Sequence, residues 1–133
     1  ISKTDHLAQE DALRINWTSG DETRYSPSED GDYFRISTDQ PDNMIRQSNG
    51  AMKLAFNAKS FSASNEKIQI GQCDINLDCN QTLEIEINNE WTEYMISLKD
   101  FESLGIDMSS ITSSILIKAN SGVDIGISNI RLE

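Results

Sequence analysis

Cys73 and Cys79 are the only thiols of the chain, separated by five residues in Gln72-Cys73-Asp74-Ile75-Asn76-Leu77-Asp78-Cys79-Asn80. That spacing suits a small loop closed by a disulfide. A structural zinc would need four Cys or His ligands, and His6 is the only histidine. The disulfide reading places the chain in an oxidising compartment, secreted or periplasmic. So short a loop removes little unfolded-state entropy, about 2 kcal/mol by loop closure, so the bond pins a loop more than it holds a fold.

Carboxylates are the next candidates. A glycoside hydrolase works with two of them roughly 5 to 10 Å apart. With 22 acidic residues some pair always meets that distance, so the criterion selects nothing. Most of them fall in turns or alternate outward along strands, as solvated charges do. Nucleophilic triads fail too, because His6 lies near the terminus and both cysteines are expected to be bonded. No phosphate-cradling glycine loop occurs. The expectation is a chain with no catalytic residues, not an enzyme. Asp5, Glu10, Asp11 and the Asp74–Asp78 loop offer hard oxygen ligands without EF-hand spacing, which leaves open a structural calcium and no other cofactor.

Binding a sugar takes flat aromatic surface for the C–H faces of the ring and polar groups for its hydroxyls. The larger aromatics are Trp17, Tyr25, Tyr33, Trp91 and Tyr94. Alternation sends Trp17 and Tyr94 to the core, and Trp91, after the Asn88-Asn89 turn, suits packing under an edge as well as it suits a ligand. Tyr25 and Tyr33 flank a polar, turn-rich loop and are the better platforms. The hydrogen-bonding set is Arg14, Asn16, Lys53, Asn57 and Gln69, which alternation turns away from the core. A merely solvated sheet face would carry the same residues.

These side chains are positioned by strands. Period-two alternation recurs along the chain and helical periodicity does not. Leu13, Ile15 and Trp17 face one way and Arg14 and Asn16 the other; Met52, Leu54 and Phe56 oppose Lys53 and Asn57; Ile68 and Ile70 oppose Lys67 and Gln69. Leu83-Ile85-Ile87, Tyr94-Ile96-Leu98, Ile115-Ile117 and Ile125-Ile127-Ile130-Leu132 continue the pattern, the last with a one-residue slip that predicts a bulge near Ser128-Asn129. Turn signals stand at Ser19-Gly20-Asp21, Pro27 to Gly31, Pro41-Asp42-Asn43, Ser48-Asn49-Gly50, Asn88-Asn89 and Asn120-Ser121-Gly122. Leu98 to Leu104 suits one helical turn capped by Asp100, and the first few residues read as a linker. Short, numerous strands indicate an all-β sandwich.

At 133 residues the chain fits one domain, residues 1–133. Eleven basic against 22 acidic residues leave a net charge of −11, with the basic ones scattered singly. Nucleic acid and anionic membrane surfaces are thereby disfavoured as partners, whereas a neutral polysaccharide is indifferent to that charge. No apolar run approaches the roughly 20 residues that cross a bilayer. Opening at Ile1-Ser2-Lys3 without a Met, the chain reads as a mature product or a piece of something longer.

Ala8-Gln9-Glu10-Asp11-Ala12-Leu13-Arg14-Ile15-Asn16-Trp17 and Arg46-Gln47-Ser48-Asn49-Gly50-Ala51-Met52-Lys53-Leu54-Ala55-Phe56 resemble the galactose-binding-like domain C-terminal to family 3 glycoside hydrolases of the bacterial exo-β-glucanase type. The Cys73–Cys79 pair, the Trp91-led strand through Leu98 and the closing strand from Ile125 to Leu132 follow in the same order. The resemblance implies a jelly-roll β-sandwich attached to a β-glucan-degrading enzyme. Its implied task is non-catalytic binding of β-1,3-linked glucan such as laminarin, or of mixed β-1,3/1,4-linked glucan, by a monomeric module covalently linked to a catalytic domain. The alternative is a structural accessory domain that packs on the catalytic domain without appreciable sugar binding. Under the binding reading Arg14, Asn16, Lys53, Asn57 and Gln69 form one polar face with Tyr33 or Tyr25 at its edge. Replacing Arg14 or Asn57 by Ala then costs about tenfold in affinity and leaves the melting temperature nearly unchanged.

Overall fold

The computed structural model describes residues 2–7, 9, 11–17, 33–62, 64–76, 79, 81–120 and 122–133, without the side chains of 38 and 39. These form strands β1 (Ser2–Thr4), β2 (Ala12–Asn16), β3 (Tyr33–Asp42), β4 (Lys53–Ser60), β5 (Glu66–Asp74), β6 (Thr82–Ile87), β7 (Thr92–Ser97), β8 (Ile111–Ala119) and β9 (Asp124–Leu132). Two short helices join them, α1 (Ile45–Asn49) and α2 (Leu98–Ser103). One sheet has the order β1-β2-β9-β4-β7 and the other β3-β8-β5-β6, all pairs antiparallel. The result is the β-sandwich expected from the alternation, of the jelly-roll kind that the resemblance implies.

The inward positions supply the core between the sheets. Ile15, Trp17, Leu54 and Phe56 from one sheet meet Ile68, Ile70, Ile115 and Ile117 from the other, all at most 5% exposed. β-branched isoleucine dominates because its stiff side chain packs well on a pleated surface. Each such side chain contributes about 1.5–3 kcal/mol by leaving water. The bulge expected near Ser128-Asn129 is present: the β4–β9 register shifts between Ala55 and Asn57, and Asn129 takes a φ of 53°.

Four local expectations are corrected. Residues 2–4 are not a linker but pair with β2. Pro41 and Asp42 do not turn the chain but end β3, a strand that alternation misses because it lies at a sheet edge. The α1 turn was unforeseen. Helix α2 is capped by the Ser97 hydroxyl, which accepts from the Lys99 N–H, and Asp100 falls inside its first turn. The Ser19 to Gly31 turn signals lie outside the described residues.

Cys73 and Cys79 are joined, with Cα atoms 4.7 Å apart. This is a bond typical of oxidising compartments. The Gln81 carbonyl oxygen lies against β5, in the space that a side chain at Gly71 would fill.

Candidate functional site

Four of the predicted polar residues share the outer side of the five-stranded sheet. Arg14 on β2 stands opposite Gly126 on β9, and Gly126 opposite Lys59 on β4. The next row brings Ser128, Asn57 and Glu93 together, and Asn16 pairs with Asp124. Lys53 closes this side opposite Ser97. Direct opposition in antiparallel strands puts paired side chains on the same side, about 4.5–5.5 Å apart at Cβ.

The centre of this side is not open. Arg14 makes a bidentate pair with Asp124, Nε to Oδ1 at 3.0 Å and Nη2 to Oδ2 at 2.6 Å, and its guanidinium lies 4.2 Å over the Phe61 ring. The Asp124 hydrogen bond raises the guanidinium's already high pKa, against the opposing effect of burial. Lys59 Nζ approaches the same ring at 5.3 Å. Trp91 reaches across to Gly126, where an added Cβ would stand 2.8 Å from its Cη2 and 3.0 Å from Phe61 Cε2. His6 stacks on Trp91 with ring centroids 4.3 Å apart, and its Nδ1 shares a 2.8 Å hydrogen bond with the Ser128 hydroxyl. Outward Ala12, Ala55 and Ser128 are buried on this side.

Gln69 and Tyr33 are elsewhere. Gln69 on β5 stands opposite Lys118 on β8, which stands opposite Tyr33 on β3, so these residues make a row on the outer side of the four-stranded sheet. The Gln69 carboxamide oxygen accepts from the Thr82 hydroxyl at 3.1 Å, and the Arg35 guanidinium lies 5.6 Å from the Tyr33 ring. The single polar face of five residues is therefore corrected to two opposite faces. Alternation tells which side chains leave the core, but β5 pairs only with β6 and β8 and so carries Gln69 away from β2 and β4. Tyr25 lies outside the described residues. Trp17 is core at 5% exposed, and Tyr94 is half-buried with its hydroxyl accepting from the Asn88 N–H at 2.8 Å.

Sequence reasoning passed over Phe61 and Asp124, set His6 aside and left Trp91 undecided. Gly126 was the available signal: an isolated glycine within a strand marks a close approach, here by two aromatic rings. The candidate calcium ligands have other tasks. The Asp11 carboxylate accepts the His6 and Leu7 backbone N–H groups, and that of Asp74 accepts those of Asn76 and Asp107. Among the described residues no three His, Cys, Asp or Glu converge as a metal site, and Glu10 and Asp78 lie outside them.

A family model described as galactose-binding domain-like matches residues 1–132. The chain belongs to the galactose-binding domain-like family. No curated protein matches its sequence. Among solved structures this galactose-binding-like domain is similar to PfGH50B, with a TM-score of 0.69 and 16% identity over all of this chain and 21% of that one. It is similar to an exo-beta-agarase at TM-score 0.60 and 17% identity, over 80% of this chain and 20% of that one. The family 30 carbohydrate-binding module of the cellulosomal cellulase Cel9D-Cel44B of Clostridium thermocellum aligns at TM-score 0.56 and 13% identity, over 76% of this chain and 66% of the module. The chain thus spans about a fifth of the two larger proteins and just under two thirds of the module. At these identities the likeness is one of fold, and the fold is that of carbohydrate-binding modules.

Proposed function

We propose that this domain is a non-catalytic carbohydrate-binding module that holds β-glucan, β-1,3- or mixed β-1,3/1,4-linked, on the outer side of its five-stranded sheet. In this reading it is one module, residues 1–133, of a secreted or periplasmic bacterial enzyme of the family 3 exo-β-glucanase type. Its work is to raise the local concentration of glucan at the linked catalytic domain. The observation that carries the reading is the convergence of Arg14, Asn16, Lys53 and Asn57 on one side of that sheet, with the Arg14 guanidinium already oriented by Asp124 and Phe61. A preoriented donor loses less freedom when it meets a hydroxyl. The Asp124 pair engages two of its five N–H donors.

Each hydroxyl contact nets about 0.5–1.5 kcal/mol against water. Affinity on the order of 10 μM to 1 mM follows, nearly independent of salt because the ligand is uncharged. The test is calorimetry of the domain with β-1,3-, mixed-linkage and β-1,4-glucans, repeated with Asn57→Ala and Asn16→Ala. A tenfold loss in each variant is expected; a panel that gives no heat, or variants that bind as the parent does, defeats the reading. One observation favours the accessory-domain alternative: Leu7, beside His6, is 87% exposed and Met95, on the same side of β7 as Glu93, is 45% exposed. Absence of glucan binding together with association in trans with a catalytic domain of that enzyme class, weakened by Met95→Asp, supports that alternative.

A further inference from the structure

A concavity opens where β9 runs past the start of β2. Its volume is about 450 Å³, within the roughly 300–1,000 Å³ usual for small-molecule sites. Leu54, Ile130 and Leu132 give it an apolar wall, and Asp42, Gln47 and Ser114 give it polar groups. Leu54 is a core residue, 2% exposed, so the cleft ends on the core.

Two carboxamides here are incompletely bonded. Gln47 lines the wall, and its Oε1 is buried with no hydrogen-bond partner among the described residues. Gln72, 1% exposed, donates Nε2 to the Ser114 carbonyl oxygen at 3.0 Å and approaches Met44 Sδ at 4.0 Å; Ser114 and Met44 both line the cleft. The opposite amide orientation would set oxygen against oxygen at Ser114, so this one is fixed, and Gln72 Oε1 is left buried and unpartnered. Buried acceptors of this kind call for a donor. Gln47 is itself held in place: its carbonyl oxygen accepts from the Met52 N–H at 3.0 Å, and the next residue, Ser48, is fully buried with its hydroxyl on Glu102 at 2.8 Å.

We infer that this cleft is a second binding site, taking a single uncharged hexopyranose unit at the end of a glycan chain. The apolar wall meets the C–H side of the ring, the Asp42 carboxylate accepts a hydroxyl, and a turn of the Gln47 carboxamide brings its unpartnered oxygen to another. An anionic sugar is disfavoured by Asp42, because the one cation in the lining, Arg131, is already bonded to Glu93 and Glu133. The cleft stops on the core residues Leu54 and Met44 rather than crossing the domain, which suits a terminal unit. The ligand class rests on the carbohydrate-binding reading; the location does not.

The probe is methyl β-D-glucopyranoside, titrated in the millimolar range into 15N-labelled protein while the side-chain NH2 resonances of Gln47 and Gln72 are followed. Both are expected to shift along one saturating curve. Gln47→Leu keeps the volume and removes the acceptor, and Asp42→Asn, on an exposed strand end, guards against misfolding of the first variant; each is expected to weaken binding about tenfold or more. Asn57→Ala on the sheet face is expected to leave the curve unchanged, so the two sites fail or survive separately. Unmoved glutamine resonances, or both cleft variants binding as the parent does, overturn the inference. Tighter binding of glucosamine than of the glucoside also overturns it, by assigning the cleft to an ammonium group.

Discussion

Replacing Arg14 by Ala tests how the outer face of the five-stranded sheet is built. The sequence pattern expects an isolated surface residue whose loss leaves stability unchanged. The structure predicts otherwise. Arg14 is paired in bidentate geometry with Asp124, whose side chain is 17% exposed, and covers Phe61. Exposed ion pairs contribute about 0–1 kcal/mol, with bidentate Arg–carboxylate geometry at the upper end. Because the Arg14 side chain is 42% exposed, the charge-assisted hydrogen bonds are discounted to about 1 kcal/mol. The guanidinium over Phe61 adds about 0.5 kcal/mol. Loss of Arg14 should therefore cost about 1–2 kcal/mol, lowering Tm by roughly 4–8 °C for a chain of this size. The assay is a double-mutant cycle, Arg14→Ala, Asp124→Ala and both, by denaturant melts at low and high salt. A coupling of about 1 kcal/mol that shrinks with salt is expected. A coupling below about 0.3 kcal/mol, the usual limit of additivity, refutes the reasoning. The consequence for function is direct: weaker glucan binding by Arg14→Ala mixes stability with recognition, so Asn57 and Asn16 are the cleaner probes.

Reducing the Cys73–Cys79 bond should lower stability by about 2 kcal/mol while the sheets persist, checked by paired melts and by peptide maps with and without reductant. Gly71→Ala drives a methyl group into the Gln81 carbonyl and should cost about 1–3 kcal/mol; a melt equal to that of the parent disproves the packing of that segment. The Asp107 carboxyl is held below its ordinary pKa, first by the Ser109 hydroxyl and then by the Ser109 N–H. A lowered folded pKa gives stability that is present above the unfolded value near 3.9 and is lost as pH falls through the folded one, so Asp107→Asn should flatten the stability curve only below about pH 4. Incubation with β-glucans should release no reducing ends, and release abolished by replacing one carboxylate contradicts the non-catalytic reading.

The strands that sequence made visible are those buried on one side. Ile68-Ile70, Ile85-Ile87, Ile115-Ile117 and Ile125-Ile127 alternate because one side of each strand meets the core. β3 escaped notice for the converse reason: at a sheet edge, bonded to β8 alone and with few buried side chains, it has little to alternate. Pro41 within it reads as a turn signal, although an edge strand tolerates proline. The bulge was visible because inserting one residue reverses the inward set, and Ile127 followed by Ile130 records that reversal.

The candidate site divides along the same line. From sequence alone came the all-β class, the bonded cysteines and the outward direction of Arg14, Asn16, Lys53, Asn57 and Gln69, since each follows from spacing within one segment. Only the tertiary structure decided which of those residues meet. Consecutive strands β4 and β5 belong to different sheets, and that separation depends on hydrogen bonds to β7 and β9 for one and to β6 and β8 for the other. The cleft beside α1 likewise depends on Gln47, Leu54, Ser114 and Leu132 arriving from four separate elements. Period-two patterning is a property of one strand and its distance from water; the pairing of remote strands is settled by the whole chain closing on one core.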